Sequence, residues 1–175
     1  MKAFKHFKTI TKHKIIVAKL CFRIGLYKQG LLHDMSKYSL CEFRTGVHYY
    51  QGTKSPNSVE REEKGYSSAW LHHKGRNKHH WEYWVDFTHK GLLPARIPIR
   101  YILEMFCDRI AASMTYQGKK YSDKFPLQYY KRGMHSYIMH PESRKLLEEL
   151  LIYLDNNGLD QTIAYIKKEY VKKGI

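Results

Sequence analysis

The sequence has few cysteines and no long apolar run. Its three cysteines, Cys21, Cys41 and Cys107, lie far apart and form no CxxC pair. This spacing provides neither a zinc knuckle nor a disulfide framework, and it is typical of reduced thiols in a cytoplasm. The apolar run IIVAKLCF is interrupted by Lys19, and no stretch approaches the roughly 20 apolar residues that span a bilayer. We therefore expect a soluble, cytoplasmic protein with no membrane partner.

Acidic residues are also scarce. Asp and Glu total 16 against 31 Lys and Arg, so the formal net charge of the 175-residue chain is +15. A surface of this sign attracts phosphate esters, nucleic acids or other anions. The lysines are spread along the chain and form no single dense stripe, so many of them are expected to be ordinary solvated side chains. Histidine is plentiful by contrast, with 11 residues.

Sustained two-residue alternation is absent, whereas helical spacing recurs throughout the chain. Ser39, followed three residues later by Glu42, has the pattern of a capping box at a helix start. The sequence therefore predicts an all-α fold, a single globular helical domain (1–175) of about seven to eight helices. The main helices are predicted at 9–28, 39–50, 59–73 with an interruption at Gly65, 78–89, 98–116, 124–138, 141–157 and 159–172.

His13 is the first residue that suggests chemistry. It precedes Val17 by four residues and Leu20 by seven, so it shares the buried face of the first helix. A single histidine in such a position is more often a core residue satisfied by one hydrogen bond than a ligand. His13 gains weight only if other ligand residues converge on it.

The segment LLHDMSK at 31–37 opens a short helix. Asp34 at a helix start fits an N-cap. His33 and Asp34 also offer an imidazole nitrogen and a carboxylate oxygen at nearly the same place, a mixture that divalent cations accept. Lys37, about one turn later, either pairs with Asp34 or directs a positive charge at a bound phosphate.

The segment WLHHKGRNKHHWEYW at 70–84 holds four histidines within nine residues. One interpretation is a basic, RNA-contacting surface with exposed aromatic rings. The other is that two histidine pairs across a tight turn converge on one point, with tryptophans excluding water. The pairs are His72–His73 and His79–His80, and the tryptophans are Trp70, Trp81 and Trp84.

Asp108 lies in the apolar segment YILEMFCDRIAAS. An ionised carboxylate there is costly unless a cation meets it. Arg109 would supply an ion pair by bending back, and a metal ion is the alternative. Glu104, one turn earlier on a similar face, is a candidate neighbour.

In chain order these segments give a His, a His-Asp pair, further histidines and an Asp, each on a different predicted helix. On the basis of His13, LLHDMSK and Asp108 followed by Arg-Ile-Ala, the sequence resembles the HD superfamily of metal-dependent phosphohydrolases over about 9–116. LLHDMSK is similar to the family's LLHD-x-G-K, with Ser36 in place of the glycine. The chain also resembles a small uncharacterised bacterial group that carries the RNKHH segment.

The resemblance implies an HD-like domain with its metal site at about 9–116 and a helical C-terminal extension at about 122–173. In the superfamily the first His, the His-Asp pair and the last Asp bind one divalent ion. Members with two ions use two more histidines, and the Asp of the pair bridges. The corresponding residues here are His13, His33, Asp34 and Asp108 for the first ion, and His73 with His79 or His80 for the second. The short interval between the histidines departs from the two-metal pattern.

The leading functional hypothesis is hydrolysis of a small phosphate ester, with a nucleotide as the natural guess. A bound divalent ion lowers the pKa of water from about 16 to about 7. Imidazole and carboxylate ligands permit Mn, Fe, Mg, Ni, Co or Zn, and the many histidines favour Mn or Fe. Asp34 and Lys37 are the expected catalytic residues. The expected phosphate-binding residues are Lys37, Arg76, Lys78 and Arg109.

Two other functions stay open. The net charge and the interleaved aromatic residues fit a nucleic-acid-binding module with a structural or vestigial metal. Some relatives in the superfamily carry out oxidation at a di-iron centre, which requires both ions. The leucine face predicted at 141–157 is expected to be core or a homodimer contact.

Overall fold

The structure, a computed structural model, describes residues 1–171. This part of the chain forms eight helices and one antiparallel hairpin, which confirms the prediction of a mostly helical fold. The helices are α1 (Lys2–Arg23), α2 (Tyr27–Leu32), α3 (Leu40–His48), α4 (Pro56–Lys64), α5 (Ser68–Lys74), α6 (Ile99–Gln117), α7 (Phe125–Gly133) and α8 (Pro141–Ile166). The strands are β1 (Val85–Thr88) and β2 (Gly91–Pro94).

Helix α1 is longer at its start and shorter at its end than the predicted 9–28. Val17, Leu20 and Ile24 are all buried, as their spacing predicted. The helix ends at Arg23 because Gly25 adopts a φ of 81°, a left-handed conformation that glycine tolerates and a helix does not. Helix α2 consequently begins at Tyr27, earlier than expected.

The predicted helix at 78–89 is wrong. The chain forms a short 3₁₀ turn at Trp81–Trp84 and then strand β1, which pairs with β2 in the register Val85 to Pro94 and Thr88 to Gly91. Gly91 has a φ of 91°, and the Thr88 hydroxyl donates a hydrogen bond to its carbonyl, so the turn chemistry selects a hairpin. Strands of four residues are too short to show alternation in the sequence.

Other helix boundaries follow glycine as predicted, with smaller corrections. Gly65, at a φ of 80°, separates α4 from α5. Gly158 has non-helical angles inside α8, so the expected break lies there as a kink. Helix α7 ends at Gly133 and not at 138, since a 3₁₀ turn follows. The predicted endpoints 172 and 173 lie outside the described residues.

One apolar core is shared by α1, α6, α7 and α8. The leucine face of α8 is part of this core, which is one of the two roles expected for it. Its buried residues are Leu147, Leu150, Leu151 and Leu154. Helices α1 and α6 pack against each other, and this contact brings His13 and Asp108 together. Within 1–171, no helix is both long enough and apolar enough to cross a membrane.

Candidate metal centre

Four residues from three parts of the chain meet in the interior. The Nε2 atom of His13 on α1 lies 2.9 Å from Oδ1 of Asp108 on α6. The Nε2 atom of His33 lies 3.3 Å from Oδ2 of Asp34 and 3.6 Å from Oδ1 of Asp108. One atom of each residue lies within 4.8 Å of the others, close enough to surround a single metal ion. We call these four residues the first group.

The backbone at Asp34 is unusual. Asp34 has a φ of 54° and is the one non-glycine residue within 1–171 that has a positive φ. Aspartate is among the few residues that tolerate this region, and such strain is concentrated at functional sites. The Asp34 side chain caps no helix. Asp34 therefore occupies the N-cap position of the 3₁₀ turn Met35–Tyr38 without the expected capping bond, and its carboxylate lies instead among the histidines.

A second group of ligand atoms lies on the other side of the same carboxylate. Oδ1 of Asp34 is 3.1 Å from Nε2 of His73 and 3.4 Å from Nε2 of His79. The Nε2 atom of His80 lies 3.0 Å from that of His73. These four residues form the second group, and they too could hold a metal ion. His72 is not part of it, because its Nδ1 atom contacts Glu42 at 2.6 Å.

Two buried carboxylates orient the histidine rings from behind. Oε1 of Glu104 accepts hydrogen bonds from Nδ1 of His33 at 2.9 Å and from Nδ1 of His79 at 3.1 Å. Oε2 of Glu42 accepts one from Nδ1 of His73 at 2.8 Å. A histidine that donates from Nδ1 keeps the lone pair of Nε2 free, as in carboxylate–histidine–metal arrangements. All three Nε2 atoms face Asp34.

Several of these converging atoms have no hydrogen-bond partner. They are buried, and they comprise Nε2 of His13, His33 and His79 and Oδ1 of Asp34. Buried polar atoms are almost always paired, since an unpaired one costs about 1–3 kcal/mol. Lone pairs that face one point are satisfied together by a cation. The donor set of imidazole nitrogens and carboxylate oxygens therefore fits a metal ion.

The electrostatics of the cluster favour positive charge on three of its histidines and negative charge on its carboxylates. Burial alone would lower the pKa of His33, His73 and His79, but the Asp34 carboxylate outweighs it and raises the pKa of all three. Burial likewise opposes the charge on Asp34 and Asp108, yet the adjacent histidines hold the pKa of both carboxyls well below its ordinary value. The carboxylates are therefore ionised and attract positive charge.

Two rings of the cluster behave differently. Burial lowers the pKa of His13, and burial together with the neighbouring His79 lowers that of His80 well below its ordinary value. Both rings are therefore neutral at pH 7, which is the form that binds metals.

Lys37 is the one predicted phosphate-binding residue that contacts the cluster. Its Nζ atom lies 2.5 Å from Oδ2 of Asp34, so the expected pairing is present. Burial would lower the pKa of the Lys37 amine, but Asp34 and Asp108 raise it. The amine is charged, and its side chain keeps 28% of its surface exposed. Lys37 therefore lies between the carboxylates and solvent.

The other predicted phosphate-binding residues contact no member of the cluster through a side-chain hydrogen bond or ion pair within 1–171. Arg76 is exposed and donates to the backbone carbonyl of His72. The Lys78 amine lies 5.7 Å from the ring centroid of Tyr83. Arg109 lies 5.4 Å from the ring of Tyr130 and makes no ion pair with Asp108.

The histidine-rich segment combines buried and exposed residues. His73 and His79 are buried, and the Trp70 ring lies 4.6 Å from that of His80, so Trp70 shields this side of the cluster. The prediction that the two histidine pairs converge is confirmed for three of the four rings. Glu42 was expected only as part of a capping box, because its contact with His73 depends on how α3 and α5 pack.

The fold and the cluster together define a mostly helical protein with buried His and Asp groups that could hold a metal ion. The chain belongs to DUF5662, a family of unknown function, which matches residues 2–152. No curated protein and no solved structure matches the chain. The resemblance to the HD superfamily stays a prediction.

Proposed function

We propose that this protein is a metal-dependent phosphohydrolase of the HD type that holds two divalent ions, one in each group. The observation that supports this most directly is the convergence of unpaired, buried nitrogen and oxygen atoms on both oxygens of Asp34. His13, His33 and Asp108 complete the first group. His73, His79 and His80 complete the second, and all three rings are close enough to take part.

The chain's own residues prepare the site for this chemistry. When bound, divalent ions supply a water of lowered pKa and a positive charge for a phosphoryl oxygen. Asp34 holds the two groups together, and Glu104 and Glu42 fix the rings so that Nε2 faces inward. The Lys37 ammonium, which is partly exposed beside Asp34, is placed to attract an arriving phosphate.

The substrate we propose is a small phosphate ester such as a nucleotide. The net charge of +15 would speed the arrival of any such anion. Of the six metals that the ligands permit, Mn and Fe remain favoured, because the two groups together contain five imidazoles and two carboxylates. Two irons per chain would instead support the di-iron oxygenase alternative.

A nucleic-acid-binding function is the second candidate. It is favoured by the exposed Arg76, Lys78 and Tyr83, which lie in the same segment as the buried histidines. Binding dominated by phosphate contacts weakens steeply as salt rises. A chelator would leave such binding intact and would abolish hydrolysis.

The proposal is tested by elemental analysis and by hydrolysis of p-nitrophenyl phosphate and bis(p-nitrophenyl) phosphate. We expect His33→Ala and Asp108→Ala to lose metal and activity together, while His89→Ala, which removes an exposed histidine of the hairpin, keeps both. Circular dichroism identifies any variant that fails to fold. Full metal content in folded His33→Ala and Asp108→Ala would rule out the assigned site, and a metal-loaded protein inactive on a broad panel of phosphate esters would rule out the reaction.

A further inference from the structure

A cleft of about 200 Å³ lies between the first half of α1 and the end of α6. We call it the basic cleft. Lys5, Lys8, Thr9 and Lys12 line it from α1, and Tyr50 and Tyr116 line it from the opposite side. None of these residues belongs to either group of the metal centre, so the proposed reaction leaves the cleft without a role.

The positive charge of the basic cleft is not neutralised. No acidic residue lines it, and residues 1–33 contain no Asp or Glu at all. Within 1–171, none of its three lysines forms an ion pair. Lysines that are only solvent-exposed surface residues are usually interspersed with acidic residues, as they are on α4 and α8. An uncompensated cluster inside a concave site attracts an anion.

The size of the cleft and the nature of its cations make that anion more specific. The Thr9 hydroxyl donates to the Lys5 carbonyl at 3.0 Å and lies 2.9 Å from the Tyr50 hydroxyl, so these hydroxyls are already paired and the ammonium groups are left to meet the anion. Ammonium groups bind a phosphate as point charges. The volume is below the roughly 300–1,000 Å³ of a site for a whole drug-sized ligand. The cleft therefore suits one phosphate and not a complete nucleotide.

The basic cleft lies along the same helix pair as the metal centre. Lys12 precedes His13 directly, and Lys5 lies eight residues before it, which at about 1.5 Å per residue is ~12 Å along the axis of α1. Thr115 lines the cleft from α6, seven residues after Asp108 and thus about 10 Å along that helix.

We infer that the basic cleft binds a second phosphate group of the substrate while the first phosphate lies at the metal centre. Two directly linked phosphates would have to share one site, whereas phosphates on different carbons of one sugar can occupy two sites along the same helix pair. The substrate class is therefore a nucleoside bisphosphate, or the phosphorylated end of a nucleic-acid strand, which presents the same pair of groups. The position of the first phosphate rests on the proposed function, whereas the affinity of the cleft for phosphate does not.

The test compares two double variants of equal charge. Lys5→Gln/Lys8→Gln removes two lysines of the cleft, and Lys19→Gln/Lys28→Gln removes two exposed lysines outside it. The probes are adenosine 3′,5′-bisphosphate, adenosine 5′-monophosphate and a short 5′-phosphorylated oligonucleotide, measured by calorimetry and by hydrolysis. We expect the cleft variant to bind the bisphosphate on the order of tenfold more weakly or worse, with monophosphate binding and the control variant unchanged.

The outcomes separate this inference from the proposed function. Equal bisphosphate affinity in the wild type and the cleft variant would overturn the inference. An equal loss of bisphosphate affinity in both double variants would also overturn it, and so would a wild type that binds neither the bisphosphate nor the oligonucleotide. Loss of oligonucleotide affinity alone supports the cleft and identifies a strand as the source of the phosphates. A cleft-dependent affinity without hydrolysis of any probe would keep the second-phosphate site and end the phosphohydrolase proposal.

Discussion

The Nε2 atom of His73 lies 3.1 Å from Oδ1 of Asp34, although α5 and the turn after α2 are separate elements. Because Oδ2 of the same carboxylate faces His33 at 3.3 Å, Asp34 stands between two groups of imidazoles. If each group held a divalent ion, as the proposed function requires, Asp34 would be a ligand of both. The two groups are therefore expected to be filled separately but to share one ligand.

The first prediction concerns metal stoichiometry. His73→Ala removes a ligand of the second group alone, so the metal content should fall from about two ions per chain to about one. Asp34→Ala removes the shared ligand and should abolish binding of both ions. Elemental analysis after dialysis measures this, with His72→Gln as the control from the same helix. Equal metal loss in the His73 and Asp34 variants would contradict separate filling.

The second prediction concerns Glu104, which is not itself expected to bind the ions. Glu104→Gln keeps the shape but removes the charge that accepts from Nδ1 of His33 and His79. Loss of such a supporting carboxylate typically weakens metal affinity 10- to 100-fold, so we expect a change of about that size. Competition with a metal indicator measures it. The control Glu149→Gln changes an exposed carboxylate of α8, and an effect equal to that of Glu104→Gln would count against the assigned role.

The third prediction concerns pH. Although burial opposes it, Asp34 raises the pKa of His33, His73 and His79, so protons compete with a metal ion for the Nε2 lone pairs of these rings, and they compete more strongly as the pH falls. Metal affinity should therefore rise with pH, on the order of tenfold per pH unit for each proton released. Calorimetric titration with Mn²⁺ at about pH 6 and about pH 8 tests the sign. Affinity that is constant or falls over this interval would refute it.

The fourth prediction concerns the stability of α1. His6 is buried against the rings of Phe43 and Tyr50, and burial, with a smaller effect of Lys37, lowers its pKa from 6.5 to about 4. The unfolded chain takes up a proton below pH 6.5 that the folded chain does not. Above that pH the titration of His6 therefore does not change the free energy of unfolding. As the pH drops from 6.5 to about 4, the free energy of unfolding falls by up to about 1.4 kcal/mol per pH unit.

The variant His6→Gln removes this titration, so its urea unfolding curves should show a shallower loss of stability over the same interval. His135→Gln, which changes an exposed histidine, should follow the wild type. The prediction concerns the slope against pH, so a uniform loss of stability in His6→Gln would not affect it. Identical slopes in His6→Gln and the wild type would show that the His6 ring is protonated in the fold.

The candidate ligand residues could be predicted from the sequence because each has a local signature. His13 lies on the buried stripe of α1, and Asp108 is a charged residue in an apolar helix. The predicted N-cap is also present, since the backbone N–H of Glu42 donates to the Ser39 hydroxyl at 3.4 Å, but the Glu42 carboxylate contacts His72 and His73 and does not complete the capping box. Helix positions and ligand identity thus depend on short-range patterns, which a single sequence contains.

The rest depends on tertiary packing, which those patterns do not specify. The carboxylate of Glu42 meets His73 only after α3 and α5 come together. Arg109 was expected beside Asp108 because the two are adjacent in sequence, but consecutive helical residues face different directions, and Arg109 instead meets Tyr130. The hairpin was missed since its residues are few and its pairing is set by the turn at Gly91.

The left-handed backbone of Asp34 has a consequence for substitution at this position. Of the residues that settle readily into such a conformation, asparagine alone resembles aspartate in size and outline. Asparagine would preserve the path of the chain and give up only the negative charge, whereas glutamate would keep the charge and disturb the path. A comparison of these two replacements therefore separates what the bend contributes to the centre from what the anion contributes.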